Sequence, residues 1–238
     1  MKKIIPLIFT LALFNNIWSQ TGAKCIYKIT VNNSVLDVSS ADDKLSKDTK
    51  NMLNSALNLA KRFEYTLDFN NNESIFQLNR LMIEDNKSDY LFPIAKAIIG
   101  QGVYYQNKIE NENIQQLETS AALFLIKDTF ISDWKITNEQ KQIGEYNCFK
   151  AIKKCESCNA FDIVWFTPEI SVPFGPLGYS GLPGLILEVQ KKLFSISLIS
   201  ITYNTNGVEI IKPTKGKMVS VDEFKEITAN YRSQLKNK

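Results

Sequence analysis

Few residue types here are equipped for chemistry. Histidine is absent from all 238 residues, which excludes a histidine general base, a Ser-His-Asp or Cys-His unit and imidazole-ligated metal. Two acids flank the most ordered-looking stretch, Glu169 and Glu188, and a pair of carboxylates at the right separation performs acid and base catalysis. Glu188 alternates with Leu187 and Val189, a pattern that points it to solvent. Glu169 follows Pro168 in a turn, where an acid commonly caps an amide. Ser180 sits in GYSGL, superficially like a nucleophile elbow, yet Pro183 and a strand follow where the elbow requires a helix. No catalytic residue, cofactor or metal site is assigned from these patterns.

Sulfur chemistry is the next option. Cys25, Cys148, Cys155 and Cys158 are an even set, and four thiols allow three pairings. Cys155 and Cys158 flank the Glu156-Ser157 turn, so one reading crosslinks that hairpin and leaves Cys25 and Cys148 to join the first strand to a central one. A redox CxxC needs a thiol of lowered pKa, usually at a helix N-terminus, and no helix pattern starts there. Free thiols or a cysteine metal site remain the third reading.

The densest signal runs from Trp165 to Val189. Four of the ten glycines (Gly175, Gly178, Gly181, Gly184) and four of the seven prolines (Pro168, Pro173, Pro176, Pro183) lie within residues 168–184. Proline fixes φ and glycine reaches φ > 0, so this alternation encodes one backbone path, a rigid crossover between FDIVWFT and LILEV. Trp165, Phe166, Phe174 and Tyr179 are read first as packing for that path. The functional alternative has these rings line a cleft for an apolar or extended ligand, with Leu182, Leu185 and Ile186 in its wall.

The string GLPGLI at Gly181 to Ile186, with GEYNCFKA at 144–151, VWFTPEI at 164–170 and Gly175-Pro176, resembles the GLPGLI family of secreted Bacteroidetes proteins. The resemblance covers about residues 100–215. It implies export and leaves the activity open, since that family has no established one.

The elements that must position these residues are mainly strands. Alternating runs at 24–31, 63–69, 74–81 and from Gly102 onward, including 208–213, are joined by tight turns, which predicts roughly ten or eleven antiparallel strands in a meander. Helical spacing predicts one helix of about eighteen residues from Ala41, capped by Ser39 or Ser40, and another opened by the Ser220 and Glu223 capping box. Residues 91–99 fit a short helix from Pro93 or an apolar flap. The expected fold is α+β, mainly antiparallel β, with two packing helices in a strongly curved, half-barrel-like sheet resembling that of periplasmic lipoprotein carriers.

Residues 1–19, with Lys2 and Lys3 before an apolar run, read as a signal peptide, followed by one β-rich domain over 20–238 with no membrane-spanning segment. The balance of 28 basic and 25 acidic residues gives no footprint for nucleic acid. The expected function is an exported, periplasmic or secreted binding or carrier protein without enzymatic activity. Its partner is read as an apolar small molecule, lipid or peptide, beside outer-membrane uptake machinery. A structural module of an envelope assembly and a carboxylate-dependent hydrolase are the alternatives.

Overall fold

A computed structural model describes residues 22–32, 46–79, 90–131, 133–154 and 161–236. The expected signal peptide and the Cys155 and Cys158 pair lie outside the described residues.

The architecture is built on its first strand, β1 (Gly22–Val31). Ala23, Cys25, Tyr27, Ile29 and Val31 are buried while Lys24, Lys28 and Thr30 are exposed, the period of two that puts one set on an inner face and the other in water. The strands β2 (Glu64–Asn70), β3 (Glu73–Leu78), β4 (Val103–Asn107), β5 (Glu112–Glu118) and β6 (Leu123–Asp128) form one antiparallel meander. A second meander comprises β7 (Lys135–Ile143), β8 (Tyr146–Lys154), β9 (Phe161–Thr167), β10 (Leu185–Gln190) and β11 (Phe194–Tyr203). Between them lies β1, paired antiparallel with β2 on one side and β11 on the other. The last strand, β12 (Lys217–Ser220), adds parallel to β6 at the far edge. The result is one 12-stranded sheet with two wings.

That sheet is open, with β12 and β7 at its two ends. It neither closes nor strongly curls, so the half-barrel expected from strand number is not what these strands build. Its inner face is covered from within the chain instead. Three described helices, not two, take part: α1 (Lys47–Ala60), α2 (Leu91–Ile99) and α3 (Val221–Lys236). Ser46, not Ser39 or Ser40, caps α1, its Oγ accepting from the Thr49 amide at 3.2 Å. The short apolar run at 91–99 does form a helix, and Phe92 packs edge-on against Phe63 at 5.5 Å. The capping box at α3 is reciprocal: Glu223 N donates to Ser220 Oγ at 3.2 Å, and Ser220 N to Glu223 Oε2 at 2.7 Å.

The run at 208–213 forms no strand. Because β12 joins the sheet at β6, the chain leaving β11 must cross the outer face of the first wing, and its alternating residues serve that crossing. Asn70 Nδ2 holds Val208 O at 3.2 Å, Gln116 Nε2 holds Lys215 O at 2.8 Å, and Ile210 packs on the buried Tyr105, Ile114 and Leu125. Lys212 pairs with Glu112, whose other partner is Lys127 at 2.8 Å.

Cys25 and Cys148 are free and buried, so the expected crosslink between them is not formed. In sheet order β11, β10 and β9 separate β1 from β8. With three strands between them, the two thiols stay unbonded within the one buried core. Burial pushes the Cys148 thiol up to about 11, against a smaller opposing pull from Lys141. The unfolded chain loses that proton first, so the stability tied to the neutral thiol is intact below about pH 9 and declines toward pH 11. Denaturant titrations between pH 8 and 11 should therefore show a smaller alkaline loss of stability in Cys148→Ala than in the parent chain.

The Gly/Pro crossover is fixed by close approach at both signature glycines, by two different means. Gly181 has φ +86°, and a Cβ there would stand 1.9 Å from Ile131 O. Gly184 has no positive φ, yet a Cβ would stand 2.0 Å from Thr167 O. Gly181→Ala and Gly184→Ala should each destabilise the fold by about 2 kcal/mol or more in urea unfolding.

Candidate binding site

The crossover does not stay near the strands it connects. From β9 it runs across the inner face to the first wing, where the 3-10 turn Pro176–Gly178 lies against β3, β4 and β5. Leu177 adopts φ +58° and Gly178 φ +78° there, a tight reversal that exposes carbonyl groups outward. Those carbonyls are captured. Gln106 Nε2, from β4, donates to Gly178 O at 3.0 Å and Tyr179 O at 3.3 Å, and Asn113 Nδ2, from β5, donates to Gly178 O at 2.8 Å. Gln106 Oε1 accepts from Ser74 Oγ of β3 at 3.2 Å. Register explains the set: Ser74 opposes Gln106 and Gln106 opposes Asn113 across successive strands, so all three side chains share the inner face.

Further along, Trp134 Nε1 donates to Ser180 O at 2.8 Å, and Phe174 packs on Phe69 and Phe130 at 6.5 and 6.3 Å. Tyr27 Oη of β1 donates to Ile186 O at 2.7 Å, where β10 begins. The crossover is thus bonded to both wings.

Beside its tip opens a cleft of about 360 Å³. Leu177, Gly178 and Tyr179 form one wall, and Tyr104, Asn113, Gln115 and Asp128 of the first wing form another. Lys153, Lys154, Asp162 and Lys191 of the second wing also line it, together with the apolar Ile126, Ile131 and Val221. Lys191 Nζ lies over the Tyr179 ring at 4.7 Å, touches its hydroxyl and donates to Asp162 Oδ1 at 2.6 Å. Burial, and then the charge of Asp162, hold the Tyr179 hydroxyl far above its usual ionisation range. Burial does the same for Tyr104, although Gln115 Nε2, which donates to Tyr104 Oη at 3.0 Å and Gln101 O at 2.7 Å, partly opposes it. Both phenols therefore stay neutral and able to donate.

The sequence-selected residues divide sharply. Tyr179 lines the cleft. Trp165, Phe166, Phe174, Leu182, Leu185 and Ile186 are buried in the core. As neighbours in β9, Trp165 and Phe166 also point to opposite faces, so the two rings do not share one wall. Pro168, Gly175, Pro176, Gly181, Pro183 and Gly184 shape the backbone path; Gly175 is there because a Cβ would stand 2.7 Å from Ile186 Cβ. Glu169 caps an amide as its position suggested, accepting from Asn147 N at 2.9 Å. Glu188 does not face solvent: it is 9% exposed and held by Lys141 at 2.8 Å, which also lies 4.4 Å over the Trp165 ring. Alternation on a strand names a face without saying whether another side chain covers it. Missed altogether were Tyr104, Asn113, Gln115 and Asp128 of β4, β5 and β6, whose place beside the crossover tip is set by long-range docking.

A family model described as a protein of unknown function (Porph_ging) matches residues 155–188. That span takes in β9, the whole crossover and the start of β10. No curated protein matches the chain. Two solved structures of PNGF-II, in space groups C2 and P21, share the fold, with TM-scores of 0.51 at 16% and 17% identity over 86% and 87% of this chain. The chain spans about a third of the length of that protein, 32% and 33%. Among the described residues, no group of acids and cysteines could hold a metal ion and no helix is long and apolar enough to cross a membrane.

The buried Gln106 carries the docking of the tip. Gln106→Leu leaves the Tyr179 carbonyl without its donor, and should cost about 1–3 kcal/mol in unfolding free energy. Hydrogen exchange should quicken locally at residues 176–181 before the rest of the sheet is affected.

Proposed function

We propose that this is an exported binding protein of the cell envelope, without catalysis of its own, that seats a polar, extended ligand in the cleft beside the crossover tip. The observation that carries this reading is the composition of the cleft: Lys154 and the side-chain oxygens of Asn113 and Gln115, whose amide nitrogens are already bonded, stand beside Leu177 and the apolar Ile126, Ile131 and Val221. An apolar cargo finds less support. Where a carrier cavity would lie between sheet and helices, Leu57, Phe63, Phe174, Leu182 and Leu185 are fully buried against one another.

A binding role also agrees with the state of the two acids. Asp162 is neutralised by Lys191, and Asp128 Oδ1 accepts from the Thr129 amide at 2.8 Å. Both carboxylates are committed to partners, unlike an acid and base pair poised for a substrate. Export rests on the basic and apolar start of the sequence. The GLPGLI grouping belongs to the same proposal, supported by the overlap of Gly181 to Ile186 with the matched span 155–188.

Native mass spectrometry of the protein purified gently from its own envelope tests the reading. A retained polar oligomer, lost from a Gln115→Ala and Lys154→Ala double variant, is the expected result. A retained lipid, or turnover of the bound molecule by the protein, would contradict it.

A further inference from the structure

The second wing contains a break that the cleft does not use. Strand β11 is ten residues long, and β1 pairs with it almost throughout, from Val31 opposite Phe194 to Ala23 opposite Tyr203. On its other edge β10 pairs only with Ser195, Ile196 and Ser197. Beyond Ser197 the two strands part. The Ile186 amide, which would continue the ladder, donates to Phe174 O at 2.9 Å, and the Ile186 carbonyl accepts from Tyr27 Oη at 2.7 Å. On the β1 side the register also shifts between Ile26 and Tyr27, which leaves Ile199 without an opposite residue. Such a bulge bends and twists its strand.

Residues Leu198–Thr202 therefore carry a row of main-chain groups with no strand partner on that edge among the described residues. Leu198–Ile201 form one wall of a groove of about 320 Å³, and the β7–β8 turn at Ile143–Tyr146 forms the other. Across the groove, β9 has ended at Thr167 and β10 begins at Leu185. The wall residues Ile143, Leu198, Ile199 and Ile201 are apolar, and Ile199 is 59% exposed. Glu145 is the one charged residue among those that line the groove.

We propose that this groove is a docking slot for an extended, basic segment of another protein, which adds as a strand along Leu198–Thr202. Main-chain donors and acceptors spaced along a strand edge are matched by another strand. The apolar walls take alternate side chains of the guest, and Glu145 selects a Lys or Arg at its end. The outermost strand, β7, is a poorer host: its register shifts between Ile136 and Gln140, and it carries Lys135, Glu139 and Lys141, devices that blunt an edge. Leu198–Thr202 carries no charge at all.

The test uses the full mature chain and a blocked hexapeptide, an N-terminal lysine followed by alternating valine and threonine. Hydrogen exchange with the peptide at millimolar concentration should slow Leu198–Thr202 at least several-fold. The same peptide with alternate amides N-methylated should give no slowing, because its backbone donors are removed. Ile199→Lys, at an exposed site, and Glu145→Lys should each abolish the slowing with unchanged Tm. No slowing at Leu198–Thr202, slowing confined to β7 or to the Leu177–Tyr179 cleft, or equal slowing by the N-methylated peptide would each overturn the proposal.

Discussion

The carbonyl of Gly178, gripped at once by Gln106 and Asn113, is the interaction on which the rest of the structure depends. Each donor belongs to the first wing, and the acceptor belongs to a segment that starts and ends in the second. A buried amide that finds two partners is stabilising, and the same amide left unpaired costs its full desolvation. That asymmetry makes the docked state of the crossover distinct from any partly docked one. Without it the two meanders would be joined by β1, the outer segment and the apolar core alone.

The crossover and the 204–216 segment act on opposite faces of the first wing. The crossover reaches its inner side through polar side chains of β4 and β5. The outer segment is held by Ile210 on an apolar patch and by Lys212 with the nearly buried Glu112. Both begin in the second wing, so each ties the wings together independently of the β1 ladder. The cleft follows from this arrangement: its lining comes from β4, β5, β6 and Ile131 on one side, from β8, β9 and the chain after β10 on the other, and from the crossover tip and Val221 of α3.

Local order was legible in the sequence to the extent that it is set by local chemistry. The alternation of Ala23, Cys25, Tyr27 and Ile29 named the first strand, the asparagine turns named the hairpins, and Ser220 with Glu223 named the start of α3. The glycines and prolines of 168–184 announced a fixed path, and the close approaches at Gly181 and Gly184 supply its cause. What the sequence withheld was destination. Nothing in Pro176 to Tyr179 says that its carbonyls meet Gln106 and Asn113 some seventy residues earlier, and nothing in VEIIKP distinguishes a strand from a segment laid over one. The rings near the signature were read together because they are close in sequence, whereas the strand period sends Trp165 and Phe166 to opposite faces.

The most direct test of the latch is the distance between the wings, measured by pulsed electron resonance with spin-labelled unnatural residues at the exposed positions Glu118 and Lys135. The parent chain should give one narrow distribution, and a chain carrying both Gln106→Leu and Asn113→Leu a distinctly broader one. An equally narrow, unshifted distribution in the double variant would mean that the wings hold their positions without the crossover, and the central role given to Gly178 would be wrong.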